Sequence, residues 1–298
     1  MASRTNRTGR SSGRIKTKSS RRSMAAPKSL TFGLYLLEQK RNLDPALAVF
    51  CAWIGERLGA RVVAEQVPDY ETLADRMSKG TLDIAWLPPI VYLRVEDSVD
   101  PVVAMRRGGK EGGYETALVV RHDSPMRAVE DMRGSSIAWV DSWSAAGYVI
   151  PRLSLRLGGV DPSRLFKQEA FYGTHTAAVR AVIDGDADVA ATYARTDGKG
   201  NALEGAWTVL GTGARVRALM TFGEIPADVI AVTRPVPQEV RTRLAAAFQE
   251  TSRSKSMKPV VRSIFGADSF GAVEVETYDG LRAALRAEEA KDGPPSAR

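Results

Sequence analysis

The sequence contains few of the side chains that usually carry catalytic or metal chemistry. Its 298 residues include one cysteine and two histidines, and they contain neither a Cys/His metal cluster nor a phosphate-binding P-loop. Cys51 cannot form an internal disulfide, and its position on an apolar helix stripe predicts a buried structural thiol rather than a nucleophile. No apolar run approaches the roughly 18–20 residues of a membrane span. The sequence therefore predicts neither a metal centre nor a transmembrane helix.

The net charge of +7 comes from one end of the chain. Residues 1–28 hold nine Lys and Arg and no acidic residue, and the remaining chain has 33 basic against 35 acidic residues. The folded part therefore shows no basic face for nucleic acid. We interpret 1–28 as a disordered basic tail, and a solvated tail is favoured over a nucleic-acid-binding arm.

The sequence around residues 137–151 (IAWVDSWSAAGYVIP) has the order strand, polar turn, helix. Ser144 is a candidate N-cap, and Ser142 lies in the same turn. Backbone N–H groups and the helix dipole attract an anion at such a helix start. Pro151 is unfavourable in mid-helix, because it removes a hydrogen bond. Taken alone, the stretch favours an ordinary capped loop over an anion site.

A second stretch, residues 171–193, repeats this arrangement and adds an imidazole. Thr174 is a candidate N-cap, His175 falls in the first helical turn, and Gly185 is a candidate C-cap before a returning strand at 188–193. A neutral histidine at a helix start is a hydrogen-bond donor for an anion.

The first third of the chain alternates strands and helices. Strands are predicted at 30–37, 61–67 and 82–87, which implies a parallel sheet with right-handed crossovers. Tyr35 and Tyr92 follow the carboxyl ends of the first and third of these strands. Ligands bind at that edge of α/β sheets, so both tyrosines are candidate binding residues, although packing is an equal alternative for Tyr92.

Several short patterns resemble the phosphate/phosphonate-type substrate-binding proteins of ABC transporters. That family has Asp-Pro-x-Ser-Thr-Ser-Gly-Tyr followed by Pro, then Gly-Ser-His, then Gly-x-x-Asp-x-Ala. The matching positions in this chain are Asp141, Ser144, Gly147, Tyr148, Pro151, Gly173, Thr174, His175, Gly185, Asp188 and Ala190. Ala145 and Ala146 stand where the family has Thr and Ser, so two hydroxyl donors are missing. The resemblance covers about residues 30–285.

The resemblance implies an α/β, two-lobed type II periplasmic-binding-protein fold in which each lobe is a mainly parallel sheet flanked by helices. Lobe one is expected at 29–121 and 223–290, and lobe two at 122–222. A small anionic ligand, phosphonate-like or phosphate-like, is expected between the lobes. The expected ligand-binding residues are Ser144, His175 and Tyr92, with Ser142, Thr174 and Tyr35 as weaker candidates.

The resemblance also bears on partners and location. It implies an ABC permease as partner and no metal or organic cofactor. Family members are usually exported, but residues 23–28 (SMAAPK) lack the apolar core of a signal peptide. As written, the sequence predicts a cytoplasmic chain or a displaced start site.

Two other functions remain open at this point. A cytoplasmic chain of this fold is expected to be a ligand sensor. An enzyme, such as one of cofactor biosynthesis on the same fold, would use Ser144 and His175 as nucleophile and base with Asp141 or Asp188. The G-x-S-x-G elbow is absent, and a serine and a histidine at helix starts suit anion binding as well. Catalysis is the minor alternative.

Overall fold

A computed structural model describes residues 27–36, 44–107, 114–197, 202–212 and 215–292. The strands are β1 (Ser29–Leu34), β2 (Arg61–Gln66), β3 (Ile84–Leu87), β4 (Val99–Arg106), β5 (Tyr114–Arg121), β6 (Ser136–Trp139), β7 (Gln168–Phe171), β8 (Val189–Thr196), β9 (Ala202–Gly205), β10 (Val216–Glu224), β11 (Val229–Thr233) and β12 (Ser269–Gly271). The predicted tail at 1–28 lies outside the described residues except for Pro27 and Lys28.

The helices cover the faces of these strands. They are α1 (Asp44–Leu58), α2 (Tyr70–Ser78), α3 (Pro89–Val95), α4 (Ile150–Leu157), α5 (Pro162–Leu165), α6 (His175–Asp184), α7 (Ala206–Val209), α8 (Gln238–Thr251), α9 (Met257–Phe265) and α10 (Asp279–Asp292). A π-helical turn, Ala145–Val149, precedes α4, and 3-10 turns lie at Glu130–Met132 and Val275–Tyr278. Within the described ranges, we find no helix with the length and apolar character needed to cross a membrane.

The strands form two six-stranded sheets. Sheet one has the order β12-β4-β11-β3-β1-β2, and sheet two has the order β10-β5-β8-β6-β7 with β9 paired to β8. The predicted parallel unit is present in sheet one, since β1 pairs in parallel with both β2 and β3. Sheet two repeats it with β6 between β7 and β8. The predicted two-lobed α/β fold is confirmed.

The sheets are mixed, which corrects the expectation of mainly parallel sheets. Of the five described pairings in each sheet, two are parallel and three are antiparallel. The reason is that the chain passes between the sheets twice. Strand β11 returns to sheet one and inserts antiparallel between β3 and β4, and β5 enters sheet two antiparallel to β8.

The two sheets share one side-chain contact. In each sheet, an aspartate just before an inner strand, β3 or β8, accepts hydrogen bonds from a residue of the neighbouring parallel strand. In sheet one, Asp83 accepts hydrogen bonds from the backbone N–H of Thr31 at 2.7 Å and from its hydroxyl at 2.9 Å. In sheet two, Asp188 accepts both corresponding bonds from Ser136 at 2.8 Å. The two parallel units are therefore built alike.

The lobe boundaries remain a prediction, but sheet membership favours a shift of one of them. Strand β5 belongs to sheet two, whereas the sequence predicts that residues up to 121 belong to lobe one. We therefore propose that the chain leaves lobe one after Arg107. It returns near Ile225, whose N–H donates to the carbonyl of Tyr114, the first residue of β5, at 2.7 Å.

One of the apolar clusters joins both sheets. It contains buried residues of α2, α3 and β3 together with Ala145, Val149 and Ile150 from the helix start that follows β6. Beside this cluster, the Arg94 guanidinium of α3 lies over the Trp143 ring, 4.0 Å from its centroid. The lobes are therefore in direct contact next to the predicted binding residues.

Candidate functional site

The two predicted helix starts lie together at one edge of sheet two. Strands β6 and β7 are parallel, with Trp139 opposite Phe171, so the turns that follow them leave the sheet at the same edge. The Gly173 N–H donates to the Val140 carbonyl at 2.8 Å and joins these turns directly. Ser144 and Thr174, the first residues before the two helices, are thereby brought to one place.

The first helix start is capped as predicted. The Ser144 hydroxyl accepts from the Gly147 N–H at 3.0 Å. The preceding Asp141 carboxylate accepts from the Trp143 N–H at 2.8 Å, which closes the polar turn. Burial raises the pKa of Asp141, and the hydrogen bonds from the Trp143 and Ser144 N–H groups only partly offset it. Ser142 lies half-buried in this turn.

The helix after Ser144 is not a continuous α-helix, unlike the helix that the order strand, polar turn, helix predicts. Its first turn is π-helical, with the Val149 N–H bonded to the Ser144 carbonyl at 3.0 Å. An α-helix would pair the Gly147 carbonyl with the N–H that Pro151 lacks; here that carbonyl accepts from Val140 N–H at 3.1 Å. Pro151 instead falls in the first turn of α4, where its missing N–H has no cost.

Residue 147 must be glycine because its backbone lies directly against the Val140 side chain. A Cβ atom at Gly147 would lie 2.2 Å from Cγ2 of Val140 and 2.8 Å from the Ser144 hydroxyl. No such atom fits without displacing the turn that follows β6.

The second helix start carries the histidine. The Thr174 hydroxyl accepts from the Ala177 N–H at 3.0 Å, and α6 ends at Gly185 in a left-handed conformation, both as predicted. His175 Nδ1 lies 3.1 Å from Thr192 Oγ1 on β8. Its ring contacts Tyr193 edge to face at 5.0 Å. Burial lowers the pKa of His175 to about 4, so the ring is neutral at pH 7.

Ser144 and His175 do not form a catalytic pair in the described part of the chain. The serine hydroxyl is bonded to the Gly147 N–H and the imidazole Nδ1 faces Thr192. No hydrogen bond joins the two side chains among the residues that the structure describes, and the same ranges hold no group of three or more His, Cys, Asp or Glu that fits a metal ion. Ser144 and His175 instead lie at two helix starts that meet at one edge of sheet two, an arrangement that brings hydrogen-bond donors together.

The predicted tyrosines follow strands of sheet one: Tyr35 comes directly after β1, and Tyr92 lies in α3, which follows β3. Tyr35 is half-buried and contacts the Tyr70 ring at 4.7 Å. Tyr92 is 4% exposed and packs on Tyr278 at 5.1 Å. These contacts describe a packing role for Tyr92, and its part in ligand binding stays a prediction.

Sequence reasoning missed a group of side chains between the two sheets. Arg107 at the end of β4 forms an ion pair with Asp228, which also accepts from the Trp86 indole N–H at 3.0 Å. Tyr114 packs on Tyr193 at 5.5 Å, and Tyr193 reaches His175. Tyr70, the first residue of α2, packs on Tyr35 and was not among the predicted residues. Its position after the carboxyl end of β2 is the signal that should have identified it.

The electrostatics of this group show that its members are close together. Burial raises the pKa of Tyr70, and the nearby carboxylates of Asp141 and Asp228 raise it further. The pKa of Arg107 is raised although burial opposes this, because the Asp228 carboxylate outweighs burial. Tyr70 thus lies within electrostatic reach of Asp141, in the turn after β6, and of Asp228, which precedes β11, so the group involves both lobes.

A separate cavity of about 690 Å³ lies between α1 and β2. It is lined by Cys51, Val62 and neighbouring residues and includes none of the predicted binding residues. Cys51 is buried as expected, and burial raises the pKa of its thiol to about 11.

Similar solved structures share the fold. The PhnD1 protein of Prochlorococcus marinus (MIT 9301), solved in complex with methylphosphonate, has a TM-score of 0.70 at 16% identity, over 88% of this chain and 98% of that chain. A binding-protein component of an ABC phosphonate transporter from Pseudomonas aeruginosa has a TM-score of 0.71 at 20% identity, over 90% of each chain.

A curated relative and a family match extend the comparison to sequence. The phosphonates-binding periplasmic protein of Escherichia coli (strain K12) is 27% identical over 169 residues, which are 55% of this chain and 50% of the relative. The chain thus spans about half the length of the curated relatives it matches. Residues 32–278 match the family described as "ABC transporter, phosphonate, periplasmic substrate-binding protein", a family of solute-binding proteins rather than enzymes. The chain belongs to this family of substrate-binding proteins of phosphonate ABC transporters.

Proposed function

We propose that the chain captures a small oxyanion, of the phosphonate or phosphate class, between its two lobes and delivers it to an ABC permease. The observation that carries this proposal is the hydrogen bond from Gly173 N–H to the Val140 carbonyl. It holds two helix starts side by side at one edge of sheet two. Two positive dipole ends that converge favour an anion more than either end alone.

The donors at this edge suit an oxyanion. The Ser144 and Thr174 hydroxyls cap their helices as acceptors. Ser144 keeps its O–H hydrogen to donate to a ligand, and Thr174 does so when the Thr176 hydroxyl, 3.1 Å away, donates to it. His175 adds an N–H donor from Nε2 when the Thr192 hydroxyl donates to Nδ1. Ser142 in the same turn is a further donor. With Ala145 and Ala146 in the first turn, the backbone N–H groups are the remaining donors there.

Sheet one supplies the opposite wall. Tyr35 lies beside Tyr70, and Tyr70 lies within electrostatic reach of Asp141. Tyr92 takes part from α3, where its cluster packs on Ala145. Closure of the lobes over the ligand excludes water and strengthens each hydrogen bond.

The permease and the location are inferred from the family. Its members are periplasmic, and we infer that this chain also works outside the cytoplasmic membrane. The two lobes then present a closed, liganded shape to the permease. A cytoplasmic ligand sensor would use the same site without a permease, so binding of purified permease in nanodiscs to the liganded chain separates the two.

The proposal is tested by calorimetric titration with methylphosphonate, inorganic phosphate, methanesulfonate and acetate. We expect saturable binding of at least one phosphorus oxyanion and a ligand-dependent rise in melting temperature. Ser144→Ala should weaken this binding about tenfold or more, because it removes a hydroxyl that bonds a charged group. No binding of either methylphosphonate or inorganic phosphate would exclude the proposed function.

A matched control separates ligand contact from helix capping. Asp161 caps α5, where it accepts from the Ser163 N–H at 3.1 Å, and it lies on the surface. Asp161→Ala removes a cap at a cost of about 1 kcal/mol, as Ser144→Ala also does. We expect both variants to melt at lower temperature and only Ser144→Ala to lose affinity.

A further inference from the structure

We propose that Arg107 is a ligand-binding residue of the cleft, with its guanidinium contacting the oxyanion and Asp228 holding it in position. This inference rests on the proposed function and adds its specificity-determining cation. Arg107 follows β4 at the point where the chain leaves sheet one, and Asp228 precedes β11, where the chain returns. Because β11 runs antiparallel to both β3 and β4, the pair lies at the edge of sheet one where β3 ends.

The hydrogen bonds of the Arg107 guanidinium are made by one of its nitrogens, Nη2. Nη2 donates to the Asp228 carboxylate and to the Phe265 carbonyl, the latter at 3.1 Å. Asp228 is fixed in turn by the Trp86 indole at 3.0 Å. In the described part of the chain, no oxygen accepts from Nη1 or Nε of Arg107. The side chain of Arg107 is 24% exposed, so these donors remain reachable.

Electrostatic effects on two tyrosines, and the ring contacts of one of them, relate this arginine to the helix starts. Tyr114 and Tyr70 lie within electrostatic reach of the guanidinium. Tyr114 packs on Tyr193, and Tyr193 packs on His175 at the start of α6. Tyr70 is close to Asp141 in the turn before the other helix start. Arg107 thus belongs to the wall that faces Ser144 and His175.

Arg107 would supply the site with a charged hydrogen-bond donor, which the predicted binding residues do not include. His175 is neutral at pH 7, and helix starts supply only partial charges. Ala145 and Ala146 contribute no hydroxyl donors. A guanidinium beside these partial charges adds charge-assisted hydrogen bonds, and its planar N–H donors match two oxygens of a phosphonate or phosphate group at once. The proposal therefore predicts that much of the affinity depends on Arg107.

The test compares Arg107→Gln with Arg106→Gln. Arg106 is the adjacent residue, it carries the same charge, and its partner is the exposed Glu274 rather than a cleft residue. Titration with methylphosphonate and with inorganic phosphate gives the Kd of each folded variant, with circular dichroism as the check of folding. We expect Arg107→Gln to weaken binding about tenfold to a hundredfold and Arg106→Gln to change it less than about twofold. The Kd of Arg107→Lys should lie between those of these two variants. Lysine keeps the positive charge but lacks the paired, planar N–H donors of a guanidinium.

A second variant keeps the test decisive. Arg107→Gln leaves the Asp228 carboxylate buried without its cation, which threatens folding. The double variant Arg107→Gln/Asp228→Asn removes both charges and avoids this cost. If the folded double variant binds either anion with the Kd of the unmodified chain, Arg107 is only a clamp between the crossing segments and the proposal fails. If the unmodified chain binds neither anion, the proposed function fails and this inference fails with it.

Discussion

His175 Nδ1 lies 3.1 Å from the hydroxyl of Thr192, a residue of β8 that is fully buried. The contact fixes the imidazole at the start of α6, and burial lowers the pKa of the ring from 6.5 to about 4. An uncharged, oriented histidine at a helix start can bond to an anion without a change of protonation near pH 7.

The pH dependence of stability tests this environment. Between about pH 4 and 6.5, the unfolded chain binds a proton on His175 that the folded chain does not bind. The free energy of unfolding therefore falls as pH is lowered through this window, by as much as about 3 kcal/mol from this residue. Urea unfolding at pH 4.5 and pH 7 should show a smaller difference for His175→Gln. His122→Gln, at an exposed site, should keep the original difference, and an unchanged difference in His175→Gln would contradict the prediction.

The approach of Gly147 to Val140 gives a second prediction. Gly147→Ala places a methyl group 2.2 Å from the Val140 side chain and should lower the free energy of unfolding by about 2 kcal/mol or more. Gly280→Ala is the control, since no atom lies within 4 Å of its added methyl group. Chemical denaturation measures both. Equal stability of the two variants would show that the turn after β6 is not as tightly packed as described.

The matching hydrogen bonds of Asp83 and Asp188 predict equal and independent effects. Each carboxylate accepts two bonds from a residue 52 positions earlier in its own sheet. Asp83→Ala and Asp188→Ala should each lower the free energy of unfolding by about 1–3 kcal/mol. Since the two sites share no partner, the double variant should show the sum. If only one of the two substitutions lowered the free energy of unfolding, the two aspartates would not be equivalent.

The contact between Arg94 and Trp143 predicts an effect on affinity without a ligand contact. The guanidinium lies 4.0 Å from the ring centroid and joins α3 to the turn of sheet two. Arg94→Gln should favour the open lobes and weaken ligand binding about twofold to tenfold. Arg57→Gln is the control, because Arg57 stacks at 3.3 Å on Trp53 within α1 and joins no lobes. If Arg94→Gln and Arg57→Gln lose affinity equally, Arg94 has no specific role in closing the lobes.

Local patterns were sufficient for the helix starts. Ser144 and Thr174 each cap a helix, and Gly185 ends α6, because capping depends on residue type and a few neighbours. The parallel units around β1 and β6 also followed from alternating strands and helices. The π-helical turn was not predicted, because it depends on how the Gly147 carbonyl meets Val140, a residue outside the helix.

Contacts between distant residues could not be read from the sequence. Arg107 and Asp228 are 121 positions apart and meet only because the chain crosses twice between the sheets. The same crossings make both sheets mixed. Tyr92 follows a strand end as the candidate residues should, yet it lies against Tyr278, since strand position does not determine side-chain direction after a helix has begun.

The central claim is that an oxyanion is held between the two helix starts of sheet two and the wall of sheet one. A crystal structure of the chain grown with saturating methylphosphonate tests it most directly. We predict phosphonate oxygens within hydrogen-bond distance of the Ser144 hydroxyl and His175 Nε2, with the lobes closed over them. Methylphosphonate bound at another surface, or a helix edge left without ligand while binding is saturated in solution, would contradict the claim.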